Sequence, residues 1–211
     1  ARSQSVCMDC YPYVASSTML LPARVAVSSD VRITWSSAEP EAAGRSLFTM
    51  AAERGIDPTT LAQQLVPGGA IYFAMSDEDV DRILAHPLVM IGSDGLPHDP
   101  VPHPRLWGTF PRVLGHYVRQ RRLLALEAAI HKMTGLTARR FGLAARGELR
   151  VGAAADVTVF DAERVLDGAT FDVPIAAPTG IRWVLVNGRI AVEDGRQADD
   201  RAGQVLRRVR T

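Results

Sequence analysis

The stretch Leu88-Val89-Met90-Ile91-Gly92-Ser93-Asp94-Gly95 constrains the fold more than any other. Four consecutive apolar residues leave no polar face, so the strand they form has to be covered on both sides. That is the condition of a strand in a parallel sheet flanked by helices, not of a half-wet antiparallel strand. Parallel neighbours cannot be joined by a hairpin. They need long crossovers, usually helical. A chain of 211 residues with 47% hydrophobic content has the material for such a domain.

The surrounding chain fits this demand. A short apolar strand is predicted at 5–13, ending at Pro12. Region 14–70 is mixed, with Ser/Ala-rich loops around Ile33-Thr34-Trp35. A helix is predicted from about Pro40 to Arg54, its apolar positions Leu47, Met50 and Ala51 at helical spacing and Gly55 just past its end. A second helix is predicted to start at Asp57, with Pro58 in its first turn. From about 70 to 145, strand and helix alternate. Ala70-Ile71-Tyr72-Phe73-Ala74 is a β-type run, and Ser76 N-caps a helix running to Ala85. Further helices are expected at about 110–120 and 124–141. From about 147 to 193 the pattern turns all-β: strands at 148–152 and 155–160, then a hairpin around Asn187-Gly188.

Composition excludes several classes. Net charge is +1, which gives no footprint for nucleic acid or an anionic membrane, and no apolar run approaches the ~20 residues of a membrane span. The basic residues are nearly all arginine, with Lys132 the single lysine, and the run 207–210 reads as a solvated tail. Cys7 and Cys10 are the two cysteines, spaced C-x-x-C. On a strand, positions three apart face opposite ways, so two packed free thiols in a reducing cytoplasm are expected instead of a redox or zinc pair. The chain opens without methionine and almost directly in a strand, which leads to the expectation of a fragment or a processed piece.

Candidate chemistry collects at strand ends. Asp94 closes the apolar strand between Gly92 and Gly95, where (β/α) barrels keep their active sites; a turn or N-cap aspartate is the alternative. Tyr11 and Tyr13 close the first strand, either as phenolic donors to an anion or as aromatic packing. Arg105, in a loop bounded by His103, Pro104 and Gly108, offers either a carboxylate clamp or a surface ion pair. None of the five histidines shows metal-site spacing. His98 and His103 flank the Asp94 loop as supporting groups, and His131 reads as a surface or capping residue.

Several of these runs resemble one family. They are Asp9-Cys10-Tyr11-Pro12-Tyr13 and its continuation to Leu20, Gly69-Ala70-Ile71-Tyr72-Phe73-Ala74-Met75, and above all the unbroken stretch 90–115. Lys132-Met133-Thr134-Gly135-Leu136, Ala155-Asp156-Val157-Thr158-Val159-Phe160-Asp161 and Val186-Asn187-Gly188 agree with them. Together they resemble the D-aminoacylase branch of the amidohydrolase superfamily, the N-acyl-D-amino-acid deacylases.

The resemblance implies an α/β fold: the C-terminal part of a metal-dependent (β/α)8 barrel of the TIM type plus part of a small β-sandwich. Residues 1–145 would be barrel, with a lid insertion at about 14–70, and 146–211 the sandwich strands and tail. It implies zinc-dependent hydrolysis of N-acyl-D-amino acids. Asp94 would be the proton-transferring group and a candidate weak metal ligand. Tyr11, Ser17 and Arg105 would hold the α-carboxylate, and Met75 would lie near the side-chain pocket. The zinc ligands of the family come from earlier strands, so Cys7 and Cys10 are not assigned to metal. The partner needed is the N-terminal half of the barrel, and this portion alone is expected to be inactive. The alternatives are a dihydroorotase- or hydantoinase-like cyclic amidohydrolase, or a non-catalytic truncated product. Met75, and the lack of a lysine near the site, point to apolar D-amino-acid side chains.

Overall fold

The computed structural model describes residues 6–198 and 201–207. Strand β1 (Met8–Cys10) lies beside β5 (Val89–Ile91) in parallel register, Met8 opposite Val89 and Cys10 opposite Ile91. The doubly covered strand thus has the parallel neighbour its composition requires. The amide of Gly92 continues the ladder to the Cys10 carbonyl at 3.1 Å, so the two strands release their chains at the same end.

Everything between these strands forms a layer of its own plus one helix. Strands β2 (Ala15–Met19), β3 (Asp30–Ser36) and β4 (Gly68–Phe73) make an antiparallel sheet with β4 in the middle. The β-type run near residue 70 therefore belongs with the segment before it, and that unit extends to Phe73 instead of stopping at about 70. Helices α1 (Pro22–Val25), α2 (Leu47–Arg54) and α3 (Pro58–Gln64) close over this sheet. Val31, Ile33, Leu47, Met50, Leu61 and Tyr72 form the core between them. A Cβ on Gly68 would stand 2.8 Å from the Trp35 carbonyl, so only glycine allows that approach.

The caps explain where helices start. Helix α2 begins at Leu47, not near Pro40, because the Ser46 hydroxyl accepts from the Thr49 amide; Pro40–Ala42 is a single 3₁₀ turn. Gly55 ends α2 at φ 63°, as its position suggests. Asp57 caps α3 and Ser76 caps α4 (Asp77–Ala85). Helix α4 packs behind β5 with a π-helix (Val113–Gln120) and α6 (Leu126–Met133), burying Val80, Leu84, Ile91, Val113, Tyr117 and Ala129.

Two helical expectations need correction. The segment expected at 110–120 starts earlier, as α5 (Arg105–Arg112), and passes through Pro111 into the π-helical turn. The segment expected at 124–141 breaks at Thr134 (φ −130°, ψ −88°) into α6 and α7 (Gly135–Phe141).

The C-terminal part is a four-stranded antiparallel sheet of β6 (Val157–Phe160), β7 (Ile181–Val186), β8 (Arg189–Glu193) and β9 (Arg196–Gln197), in that order. The hairpin turn has Asn187 at φ 50° and Gly188 at φ 77°, the positive pair a two-residue turn needs. Residues 148–152 do not form a strand. Leu149 and Val151 are exposed and Gly152 turns at φ 86°, so the segment has no sheet edge to join. The connection from β6 to β7 reaches back across the molecule. Arg32 donates to the Phe171 carbonyl at 2.6 Å, and Arg119 to the Val165 carbonyl at 2.7 Å.

Cys7 precedes β1 and is exposed, so it is not packed as expected; Cys10 is half-buried, and neither is disulfide-bonded. No helix among the described residues is long and apolar enough to cross a membrane. In the basic tail, Arg208, Val209 and Arg210 lie outside the described residues.

Candidate functional site

Asp94 and Tyr11 emerge from adjacent parallel strands at the same end of the β1–β5 pair. Asp94 divides its two oxygens. Oδ1 accepts from the Gly95 amide at 2.7 Å, the bond of a turn aspartate. Oδ2 pairs with Arg105 Nη2 at 2.8 Å while the carboxylate stays 57% exposed. The turn reading of Asp94 is thus met through Oδ1, while Oδ2 is held by Arg105 on a carboxylate that solvent still reaches.

Arg105 corrects the sequence expectation in an instructive way. It is not in a hanging loop but opens α5, and it is only 2% exposed. Nη2 also donates to the Ser17 carbonyl at 3.2 Å, and the guanidinium carbon lies 4.5 Å from the centre of the Tyr11 ring. Nε is buried without a hydrogen-bond partner, so this planar fork has donor capacity to spare. The ion pair of Arg105 with Asp94 is therefore buried on the arginine side and open to solvent on the aspartate side. Burial pushes the Tyr11 phenol above its ordinary range against the opposing pull of Arg105, so it remains a neutral donor.

The structure thus gathers Asp94, Arg105, Tyr11 and the Ser17 backbone. Ser17 joins through its carbonyl, from mid-strand in β2. Met75 is 41% exposed, its amide bonded to the Val14 carbonyl at 3.2 Å. Tyr13 is buried as packing: Arg112 lies 5.0 Å over its ring, and its hydroxyl has no partner.

His103 is the residue that sequence reasoning undervalued. It is 2% exposed, and both ring nitrogens are engaged: Nδ1 with the Arg105 amide at 3.0 Å, Nε2 with the Ala15 carbonyl at 3.0 Å. Burial, with Arg105 close by, lowers its pKa to about 3, so it is neutral under ordinary conditions. Its one sequence signal is the step His103-Pro104-Arg105, where proline has no amide and the residue before it is placed to cap. His98 and His131 are exposed.

Among the described residues no group of three or more His, Cys, Asp or Glu could hold a metal ion. Asp94, the strand-end carboxylate paired with Arg105, is already engaged on both oxygens. These residues do not by themselves fit a metal centre. Lys132 lies at the opposite end of β5, where its ammonium donates to the His86 carbonyl and, at 3.0 Å, to the Val89 carbonyl. The single lysine is therefore away from Asp94.

A family model described as amidohydrolase family matches residues 31–192. The chain is 55% identical to an N-acyl-D-glutamate deacylase of Alcaligenes xylosoxydans xylosoxydans, over 99% of this chain and 42% of that protein. It is 54% identical to a D-aminoacylase of the same organism, over 97% of this chain and 42% of that protein. A solved D-aminoacylase, studied for its binuclear metal centre, superposes with a TM-score of 0.94 at 54% identity over 98% of this chain and 44% of its own. An N-acyl-D-glutamate deacylase from Bordetella bronchiseptica, bound to zinc and a phosphonate mimic of the tetrahedral intermediate, gives 0.85 at 54% identity over 90% and 41%. The chain spans about two fifths of the length of the curated relatives it matches.

Proposed function

Because this chain belongs to the amidohydrolase family, we propose that it supplies one flank of the active site of an N-acyl-D-amino-acid deacylase. The observation that carries this reading is the assembly of Asp94, Arg105 and Tyr11 at the shared end of β1 and β5. A solvent-reachable carboxylate for proton transfer sits against a buried guanidinium whose Nε is left without a partner.

The reaction is hydrolysis of a linear amide, releasing a carboxylate and a free D-amino acid. Asp94 takes a proton from the attacking water and returns one to the departing nitrogen. Arg105 holds the substrate α-carboxylate through charge-assisted hydrogen bonds, and the Tyr11 phenol donates beside it. Fixing the carboxylate, the amide and the side chain at three points selects one hand of the amino acid. In this reading β1 and β5 are the last two strands of a (β/α) barrel, residues 15–73 are its lid, and the C-terminal sheet is a share of the small β-sandwich. The rest of the barrel comes from sequence outside this chain.

Zinc is the proposed cofactor, supported by the zinc-bound relative. Since the described residues do not form a metal site, the ligands are assigned outside this chain. Asp94→Asn in the full-length, metal-loaded enzyme tests the reading. Turnover of N-acetyl-D-methionine should fall on the order of a hundred- to ten-thousandfold with metal content unchanged. Near-normal turnover would remove Asp94 from the mechanism.

A further inference from the structure

The His103 ring joins three parts of the molecule at one point. Its Nδ1 lies 3.0 Å from the Arg105 amide and its Nε2 lies 3.0 Å from the Ala15 carbonyl. A backbone amide can only donate, so Nδ1 presents its lone pair. Nε2 then carries the proton, which a carbonyl can accept. The tautomer follows from the two partners.

Neither bond is incidental. The first amide of α5 is one of the donors a helix leaves unsatisfied, and Pro104 before it provides no side-chain acceptor. Ala15 starts β2, two residues before the Ser17 carbonyl that receives the Arg105 guanidinium. One ring therefore ties the main chain of Arg105 to the same strand that its side chain reaches. The ring is also edge-packed from three sides: by Tyr11 at 6.1 Å, Tyr13 at 5.1 Å and Phe171 at 5.1 Å between centroids.

We propose that His103, as the neutral Nε2–H tautomer, is a positioning residue that fixes Arg105 between Asp94 and the Ser17 carbonyl and so sets how tightly the enzyme holds the substrate carboxylate. This rests on the reading that Arg105 receives that carboxylate. His103 touches neither substrate nor reacting atoms. Its effect passes through the start of α5, and a displacement of about an ångström at a clamp is enough to matter.

The test uses the full-length, metal-loaded enzyme and three variants. His103→Asn places an oxygen where Nδ1 stood and keeps the cap to the Arg105 amide. His103→Gln extends a donor toward Ala15 but loses the cap. His103→Phe loses both. Crystal structures should show the Arg105 guanidinium displaced from Ser17 in His103→Phe and retained in His103→Asn.

In kinetics, His103→Phe should lower kcat/KM on an N-acyl-D-amino acid roughly tenfold or more, mostly through KM, with His103→Asn recovering most of it. On the analogue whose carboxylate is a neutral carboxamide, all variants should stay within about twofold of wild type. The pH profile between 6 and 9 should not move, whereas a proton-transfer role would shift it. Should His103→Phe fail to fold, the order Asn above Gln decides the matter. Arg105 unmoved in the variants, or equal losses on both substrates, would overturn the proposal. If wild type itself treats acid and amide alike, the carboxylate reading fails, and the crystallographic comparison still decides the placement of Arg105.

Discussion

His103 also gives the site a signature in solution. Its pKa in the folded chain is lowered to about 3, against 6.5 for a free imidazole. Below pH 6.5 the unfolded chain takes up a proton that the folded chain refuses. Stability is therefore full above pH 6.5 and is lost as pH falls toward 3, with a slope approaching about 1.4 kcal/mol per pH unit. His103→Asn removes that slope while leaving every carboxylate in place. Urea titrations between pH 4.5 and 7 should show the gap between wild type and variant narrowing as pH drops, and parallel curves would contradict this. At this scale the sequence was partly legible. Asp94 was placed by the run of apolar residues before it, and Tyr11 by the matching strand end. Arg105 was recognised, but its burial was not, because nothing in a local window shows that Ser17 and Tyr11 will close over it. His103 is invisible to periodicity, since its partners lie at Ala15 and Arg105 and only one of them is near in sequence.

Among the elements, those announced by a cap or a turn were the most readable. Ser76, Asp57 and the Asn187-Gly188 pair act through the residues beside them, so their signals are local. Elements defined by tertiary support were not. The stretch 148–152 has a strand composition without a neighbouring strand. Region 105–120 becomes a helix through Pro111 because it packs on both sides. Gly115 exposes that packing: a Cβ there would stand 2.6 Å from the Val165 carbonyl, on the connection leading to Phe171. Gly55 faces open space and is held by φ 63° alone. Gly115→Ala should therefore destabilise on the order of 1–3 kcal/mol, more than Gly55→Ala at about 1 kcal/mol. Thermal unfolding of the two variants measures the order, and a milder effect at Gly115 would mean the Val165 segment moves freely.

At the scale of the whole molecule, two short parallel strands far apart in sequence are brought together around an inserted antiparallel sheet. Parallel pairing at β1 and β5 was legible from composition. The three-stranded sheet between them was not, because a strand buried in the middle of an antiparallel sheet, as β4 is, looks the same in sequence as one in a parallel sheet. That sheet supplies the Ser17 and Ala15 carbonyls, and the C-terminal connection supplies Phe171, so the site depends on segments far apart in sequence.

The central claim is that this assembly reads a free α-carboxylate. The direct measurement is kcat/KM of wild type and Arg105→Ala, in the full-length metal-loaded enzyme, on an N-acyl-D-amino acid and on its neutral carboxamide analogue. A buried charge-assisted pair contributes about 1.5–3 kcal/mol. The variant should lose roughly ten- to a hundredfold on the acid and be nearly equal to wild type on the amide. Arg105→Lys should recover little, because a point charge cannot reproduce the planar fork. An equal loss on both substrates would make Arg105 a support for Asp94 alone and would contradict the account.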